Sequence, residues 1–281
     1  MGELDDAPTA ELSIAFSAEE LAALITLLRL PPVPGAAAVA MPAETLAAAR
    51  RSLLARGVLG SLGDDTDAVA TAVADLLLIV TAPQVVMEIT VADAAGSETR
   101  TRRYALTPPA GIETAEEDGV YRFTPFAAVD VLVRLAAGTG LAGQVTAPDG
   151  RLPGGGLTVP EDMLRLAASE PDGGRATANL VAAGLSPSGA ATLATVIRDR
   201  ERVVSVRVRR PVRPGTVEGM DAIWASSGGG LISWPFTPGA APEGTDPWHR
   251  PDQPVTIRPL DIRALLAALA AAISGDPVDG R

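Results

Sequence analysis

Leu53-Leu54-Ala55-Arg56-Gly57-Val58 and Leu180-Val181-Ala182-Ala183-Gly184-Leu185 carry one pattern twice, an Ala/Leu helix end closed by a glycine and then an apolar residue. A glycine just past a helix takes the left-handed conformation other residues avoid, so each stretch reads as a helix stop. The same succession of elements surrounds both, and that succession sets the expected fold.

Upstream of the first stop, Ser17 and Glu20 form a capping-box signature ahead of Leu21, Leu24, Ile25 and Leu28 at helical spacing, and Pro31-Pro32 ends that helix. A second helix is expected from about Met41-Pro42 to Gly57, with Leu46, Ala49 and Leu53 on one face. A third spans Asp65 to Val80, acidic in its first turn and ended by Pro83. Val85, Met87, Ile89 and Val91 then alternate with Val86, Glu88, Thr90 and Ala92, which describes a strand buried on one side. After a turn at Ala94-Ala95-Gly96-Ser97, Arg100 to Leu106 and Gly119 to Phe123 read as two more strands around an acidic, proline-containing loop. Thr124-Pro125 reads as the start of a closing helix that turns Phe126, Val129 and Val133 inward.

Around the second stop the order repeats. Thr158 and Pro160 open a helix carrying Met163, Leu164 and Ala167, and Arg175 to Ala183 and Ser188 to Asp199 supply two more. Val203 to Arg210 is a strand with Val204, Val206 and Val208 on one side and Ser205, Arg207 and Arg209 on the other. Asp221 to Ala225 and Leu231 to Trp234 follow around Gly228-Gly229-Gly230. Arg122-Phe123-Thr124-Pro125-Phe126 lies over Thr256-Ile257-Arg258-Pro259-Leu260, each ahead of an Ala/Leu helix. The offset between matched positions changes along the chain, which excludes short solenoid repeats. The expectation is an α+β fold of two copies, each with helices, a three-stranded antiparallel sheet and a closing helix. Residues 1–140 form the first half, 141–157 a Gly/Pro-rich join whose soft character begins at Gly138, and 158–281 the second half, in one integrated fold.

Composition limits the chemistry. All cations are arginine, cysteine is absent, and the aromatic residues are three Trp, two Tyr and four Phe, so Ala, Leu and Val must fill the core. Without cysteine there are no disulfides, thiolate metal sites or thiol nucleophiles. The acidic N-terminal stretch has no signal-peptide pattern and the apolar run Leu76 to Val80 is too short for a bilayer, so a cytoplasmic, non-membrane protein is expected. The net charge of −11 falls almost wholly on the first half, which disfavours a nucleic-acid partner.

No catalytic constellation emerges, and the chain reads as a non-enzyme with no cofactor and no metal. His249 is the single histidine and sits in a loop-like stretch, which rules out an array of imidazoles. Asp64-Asp65-Thr66-Asp67 lacks the glycine and glutamate of a calcium loop, and Glu116-Glu117-Asp118 reads as solvated. The triple glycines at 154–156 and 228–230 lack the Lys-Ser/Thr of a phosphate loop.

One concentration of positive charge stands out, from Arg198 to Arg213. Two readings stand: a charge-protected sheet face, or a surface for an acidic partner. Trp224, Trp234 and Trp248 fall in the same half, either as core or as interface anchors.

Phe16-Ser17-Ala18-Glu19-Glu20-Leu21 running to Leu30-Pro31-Pro32, Ala49-Arg50-Arg51-Ser52-Leu53-Leu54-Ala55-Arg56-Gly57-Val58, and a leucine-rich third helix ending before a proline and a strand resemble the EspG family. That resemblance covers nearly the whole chain. It implies an actinobacterial cytosolic chaperone of type VII (ESX) secretion, with a pseudo-twofold α+β fold in which a central antiparallel sheet is flanked by helical bundles. It further implies that sheet and C-terminal helices hold the tip of a helical secreted protein, PE–PPE-like or related. Composition places the partner-binding residues at Ser205, Arg207, Arg209, Trp224 and Trp234. The alternative is a tandem winged-helix-like transcription regulator using Arg50, Arg51 and Arg56.

Overall fold

The computed structural model describes residues 13–33, 41–61, 67–93, 98–139, 141, 149–213, 216–227, 230–233, 237–242 and 254–275. The chain divides into two compact units, Met1–Val86 with Arg102–Val131, and Met87–Thr101 with Leu132–Arg281.

The first unit begins with β1 (Ile14–Ser17), whose last residue caps α1 (Ala18–Leu28). The expected capping box is present: the Glu20 N–H donates to Ser17 Oγ at 3.2 Å and the Ser17 N–H donates to Glu20 Oε2 at 3.1 Å. Glu20 is buried and also accepts from Ser52 Oγ at 2.7 Å, on α2 (Ala43–Ala55), and from Nη1 of Arg56, the C-cap of that helix, at 2.6 Å. Burial pushes the Glu20 carboxyl up, but the hydrogen bonds from Ser52, Arg56 and the Ser17 N–H and the Arg56 charge together outweigh it and hold it low. Arg56 also donates to the Ala15 carbonyl at 2.7 Å and lies 5.4 Å from the centre of the Phe16 ring. One carboxylate thus ties the helix start, the second helix and the first strand together.

The third helix begins later than expected. Asp67–Val69 is a strand, β3, paired with β2 (Leu59–Ser61), and α3 runs only from Thr71 to Thr81. The Ala70 N–H donates to the Val58 carbonyl at 2.9 Å, and β3 takes Asp67 to Val69, expected in the helix, while Asp65 and Thr66 lie outside the described residues.

β4 (Val85–Asp93) and β5 (Thr99–Thr107) follow, with Val85, Met87 and Ile89 buried as the alternation required. The expected turn at Ala94–Ser97 lies outside the described residues. The stretch read as an acidic loop is instead β6 (Ala110–Glu117), and β7 (Val120–Ala127) completes the order β1-β7-β6-β5 within this unit. Glu113 can sit buried in a strand because Arg102 on β5 donates to it at 2.8 Å. Gly111 can face Phe126 because it has no side chain; a Cβ there would lie inside the Phe126 ring. Phe126 meets the buried Tyr104 edge-on at 5.9 Å.

The proline expected to start the closing helix lies in β7. Among the described residues β1 pairs with 120–123 of β7, and Pro125 lies beyond that pairing, towards the end of the strand. A 3-10 turn (Ala128–Asp130) and α4 (Val131–Thr139) follow. The shift turns the helix, so Val131, Leu135 and Thr139 are buried while Val129 is 86% and Val133 69% exposed, against the inward placement expected of them.

In the second unit β8 (Leu157–Pro160) leads into α5 (Glu161–Ser169), α6 (Gly173–Ala182) and α7 (Pro187–Arg198). The long strands β9 (Arg200–Arg213) and β10 (Thr216–Ser227) come next, then β11 (Gly230–Ser233), β12 (Thr237–Pro242), β13 (Pro254–Pro259) and α8 (Ile262–Ser274). The strand order is β4-β9-β10-β11-β13-β8, with β12 also on β10. Pro259 ends β13 rather than starting a helix. α8 is capped by Asp261, which accepts from the N–H groups of Arg263 and Ala264 at 2.9 and 3.1 Å.

Each unit contains more strands than the three expected, and in each a short strand that leads into a helix pairs antiparallel with the unit's last strand, β1 with β7 and β8 with β13. The two glycine stops also match in detail. At Gly57 (φ 70°) the N–H donates to Leu54 and that of Val58 to Leu53; at Gly184 (φ 100°) the N–H donates to Val181 and that of Leu185 to Leu180.

Within the stretch expected to be a soft join, Asp149 is fully buried. It accepts from Arg151 Nε at 3.0 Å and Nη2 at 2.8 Å, from the Arg151 N–H at 2.9 Å and from Ser227 Oγ at 2.8 Å. Arg151 reaches on to Asp199 at 2.9 Å, so this knot fastens residues 149–152 to β10 and the end of α7. The Arg151 side-chain bonds lead, against burial and with help from the Arg151 N–H and Ser227, in lowering Asp149 from an ordinary 3.8 to about 2. A carboxylate depressed in the folded state stabilises it above the ordinary value and loses that contribution as pH falls toward the folded value. Asp149 is therefore expected to contribute about 2 kcal/mol above pH 4, lost between about pH 4 and 2. Urea unfolding at pH 5 and pH 2.5 should show this part of the acid sensitivity missing in Asp149→Asn, a variant already weakened at pH 5; an unchanged pH slope overturns the assignment.

Candidate partner-binding face

β9 and β10 form a two-sided hairpin whose register decides what each side offers. Val208 opposes Met220, Val206 opposes Ala222 and Val204 opposes Trp224, and these six side chains are buried. On the other side Arg209 opposes Gly219, Arg207 opposes Asp221 and Ser205 opposes Ile223.

That second side is half-exposed at Ser205, Arg207, Arg209, Gly219 and Ile223, with Asp221 buried among them. Arg209 is held rather than free: its guanidinium meets Asp221 at 2.7 and 2.8 Å and donates to the Val208 carbonyl at 2.9 Å. Gly219 makes the close approach possible, since a Cβ there would collide with the Val208 carbonyl oxygen. One cation of the expected patch thus serves chiefly to hold a buried carboxylate, and Ser205, Arg207 and Ile223 share the half-exposed side with it. At its far end Val203 and Ala225 pack into the core beneath α5, α6 and α7.

Of the residues singled out from composition, Ser205, Arg207 and Arg209 therefore share one face. Trp224 is 1% exposed and belongs to the opposite, buried side, so it shapes the sheet and presents no surface. Trp234 lies outside the described residues, as do Trp248 and His249. Sequence reading passed over Asp221, whose signal was an acid between Met220 and Ala222 in a strand paired with the arginine-bearing one. Among the described residues no group of three or more His, Asp or Glu side chains gathers as a metal site. None of their helices is long and apolar enough to cross a membrane. Glu116 is spent on a turn, accepting from the Gly119 N–H at 3.2 Å. Arg56, one of three arginines a DNA-reading helix would need, is committed to Glu20 and Ala15.

Removing one partner of a buried ion pair strands the other, so Arg209→Ala, which leaves the buried Asp221 carboxylate uncompensated, is expected to cost about 3 kcal/mol, and Asp221→Ala, which leaves a guanidinium able to turn to water, less. The double variant should lose at least about 1 kcal/mol less than the sum, because the two changes remove one interaction. Denaturant unfolding of the four proteins measures this, and strict additivity refutes the coupling.

No protein-family model matches the sequence, and no curated protein matches it. Among solved structures, the fold matches the Mycobacterium tuberculosis type VII secretion system chaperone EspG5, solved in complex with a PE25–PPE41 dimer. The TM-score is 0.63 over 95% of this chain and 98% of that one, at 14% sequence identity. The likeness to EspG proteins drawn from the sequence is thus a likeness of fold, and the chain has the α+β architecture of a type VII secretion chaperone.

Proposed function

We propose that this chain is a cytoplasmic, non-enzymatic chaperone that binds a helical substrate of type VII secretion, a PE–PPE-like pair, and keeps it soluble until export. The observation that carries this reading is the near-complete fold correspondence with EspG5, a chaperone solved with such a pair bound. The half-exposed side of β9 and β10, with Ser205, Arg207 and Ile223, together with the helices of the second unit, is the surface the partner takes. Arg209 supports it from beneath through Asp221. We further propose that residues 1–140 and 158–281 are diverged copies of one ancestral unit, on the strength of the matching glycine stops and the matching first-to-last strand closure.

Coexpression with each PE–PPE-type pair encoded in the same genome tests the reading. One pair is expected to elute with the chain as a single complex on size exclusion. Ser205→Glu combined with Arg207→Glu should weaken that complex by at least ten-fold while leaving the melting temperature nearly unchanged. Failure to bind any type VII substrate from that genome overturns the proposal.

A further inference from the structure

The second unit holds a cavity of about 210 Å³ between the end of α5, the start of α6 and the end of α7. Its floor is Ala167, Ala176, Ala194 and Ile197, all buried. Where larger aliphatic side chains would have met, the alanines leave an apolar space. It is smaller than the roughly 300–1,000 Å³ typical of a small-molecule or cofactor site, and it suits one side chain.

Two guanidiniums stand at its rim. Arg200 donates to the Ile197 carbonyl at 3.0 Å and the Ala168 carbonyl at 3.3 Å, which fixes the wall between α5 and α7. Arg198 is exposed, and its Nη1 lies over Gly173, where any Cβ would collide with it. Among the described residues no carboxylate pairs with Arg198 or Arg200. A cation in the last turn of α7 suits the helix dipole, but that role does not require the guanidinium to bend over the cavity mouth. Glu170, the one acid at the rim, is already engaged with the Asp172 N–H at 3.1 Å. The mouth is therefore net positive above an apolar floor.

We infer that this cavity takes a single leucine, methionine or phenylalanine side chain of a helical partner, and that Arg198 selects partners with a carboxylate one helical turn from that anchor. The inference rests on the chaperone reading and names the class of helix preferred. Residues three or four apart on a helix lie on one face, so an anchor entering the cavity would bring its neighbouring acid to the mouth. A buried apolar anchor beside a desolvated charge pair is the arrangement that concentrates binding energy in few residues.

The test uses the full chain and three synthetic, lactam-bridged alanine-based helices. The first has one leucine with a glutamate four residues on, the second has lysine in place of the glutamate, and the third has alanine in place of the leucine. Methyl NMR of Ala176, Ala194 and Ile197 is expected to shift with the first peptide, with affinity at least ten-fold above the second and no saturable shift with the third. Arg198→Glu should reverse the preference between glutamate and lysine. Ala168→Phe, at a half-exposed lining position, should abolish the shifts while the far-ultraviolet spectrum and melting temperature stay as in the parent. Equal affinity for the glutamate and lysine peptides, or no shift at millimolar peptide, overturns the inference. If a PE–PPE-type pair still binds Arg198→Glu and Ala168→Phe with undiminished affinity, the cavity has no part in that binding, and the chaperone reading stands without it.

Discussion

Four carboxylates among the described residues are withdrawn from water, and each is held by an arginine. Glu20 has Arg56 at 2.6 Å, Glu113 has Arg102 at 2.8 Å, Asp149 has Arg151 at 2.8 Å and Asp221 has Arg209 at 2.7 Å. Burying a charge is tolerable only when it is paired and hydrogen-bonded, and a chain without lysine meets that requirement with guanidiniums alone. Three of the pairs join segments apart in the chain, and the fourth, Asp149 with Arg151, reaches other segments through Ser227 and Asp199. Arg56 links α1 to the end of α2, Arg102 ties β5 to β6, Arg151 fastens the approach to β8, and Arg209 braces the half-exposed side of β9 and β10. The positive concentration between Arg198 and Arg213 is accordingly divided: Arg209 works within the fold, while Arg198 lies at the surface unpaired among the described residues.

Much of the architecture was legible in the sequence because it is written in short-range physics. Ser17 with Glu20, the glycines at 57 and 184, and the strict alternation from Val85 to Ile89 each announce a local structure with few alternatives. The misreadings share a cause. β6 looked like a loop since Glu113 and Gly111 are poor strand residues in isolation; Arg102 and Phe126, both distant in sequence, make them good ones. A local signal for that hairpin did exist: Asp118-Gly119, with φ of 52° and 76°, is the turn dipeptide that joins two strands tightly. Pro125 and Pro259 looked like helix starts because proline suits a first turn, but one lies towards the end of β7 and the other ends β13. The face itself was half legible. Alternation put Ser205, Arg207 and Arg209 together, whereas the burial of Trp224 follows from its pairing with Val204, which no local pattern reveals.

The scarcity of aromatic residues shapes the second unit beyond its core. Where α5, α6 and α7 meet, alanines at 167, 176 and 194 allow close approach and leave a recess that bulkier residues would have filled. A composition poor in aromatic residues thereby becomes a geometric property of a surface. The first unit, by contrast, places Phe16, Tyr121 and Phe123 in its core beneath an acidic exterior. The two units thus differ in how their cores are filled.

The closure of β1 onto β7 and of β8 onto β13 bears on the order in which the protein can be made. Ile14 finds its partner in Phe123, and Leu157 finds its partner in Ile257. Contacts so far apart in sequence form only after a large loss of chain freedom, and they slow folding. During synthesis, β1 and then β8 leave the ribosome long before the strand that covers each of them. A nascent chain therefore carries an open sheet edge through most of the making of each unit, and a protein read here as a guardian of other chains passes through a stage in which its own edges need guarding.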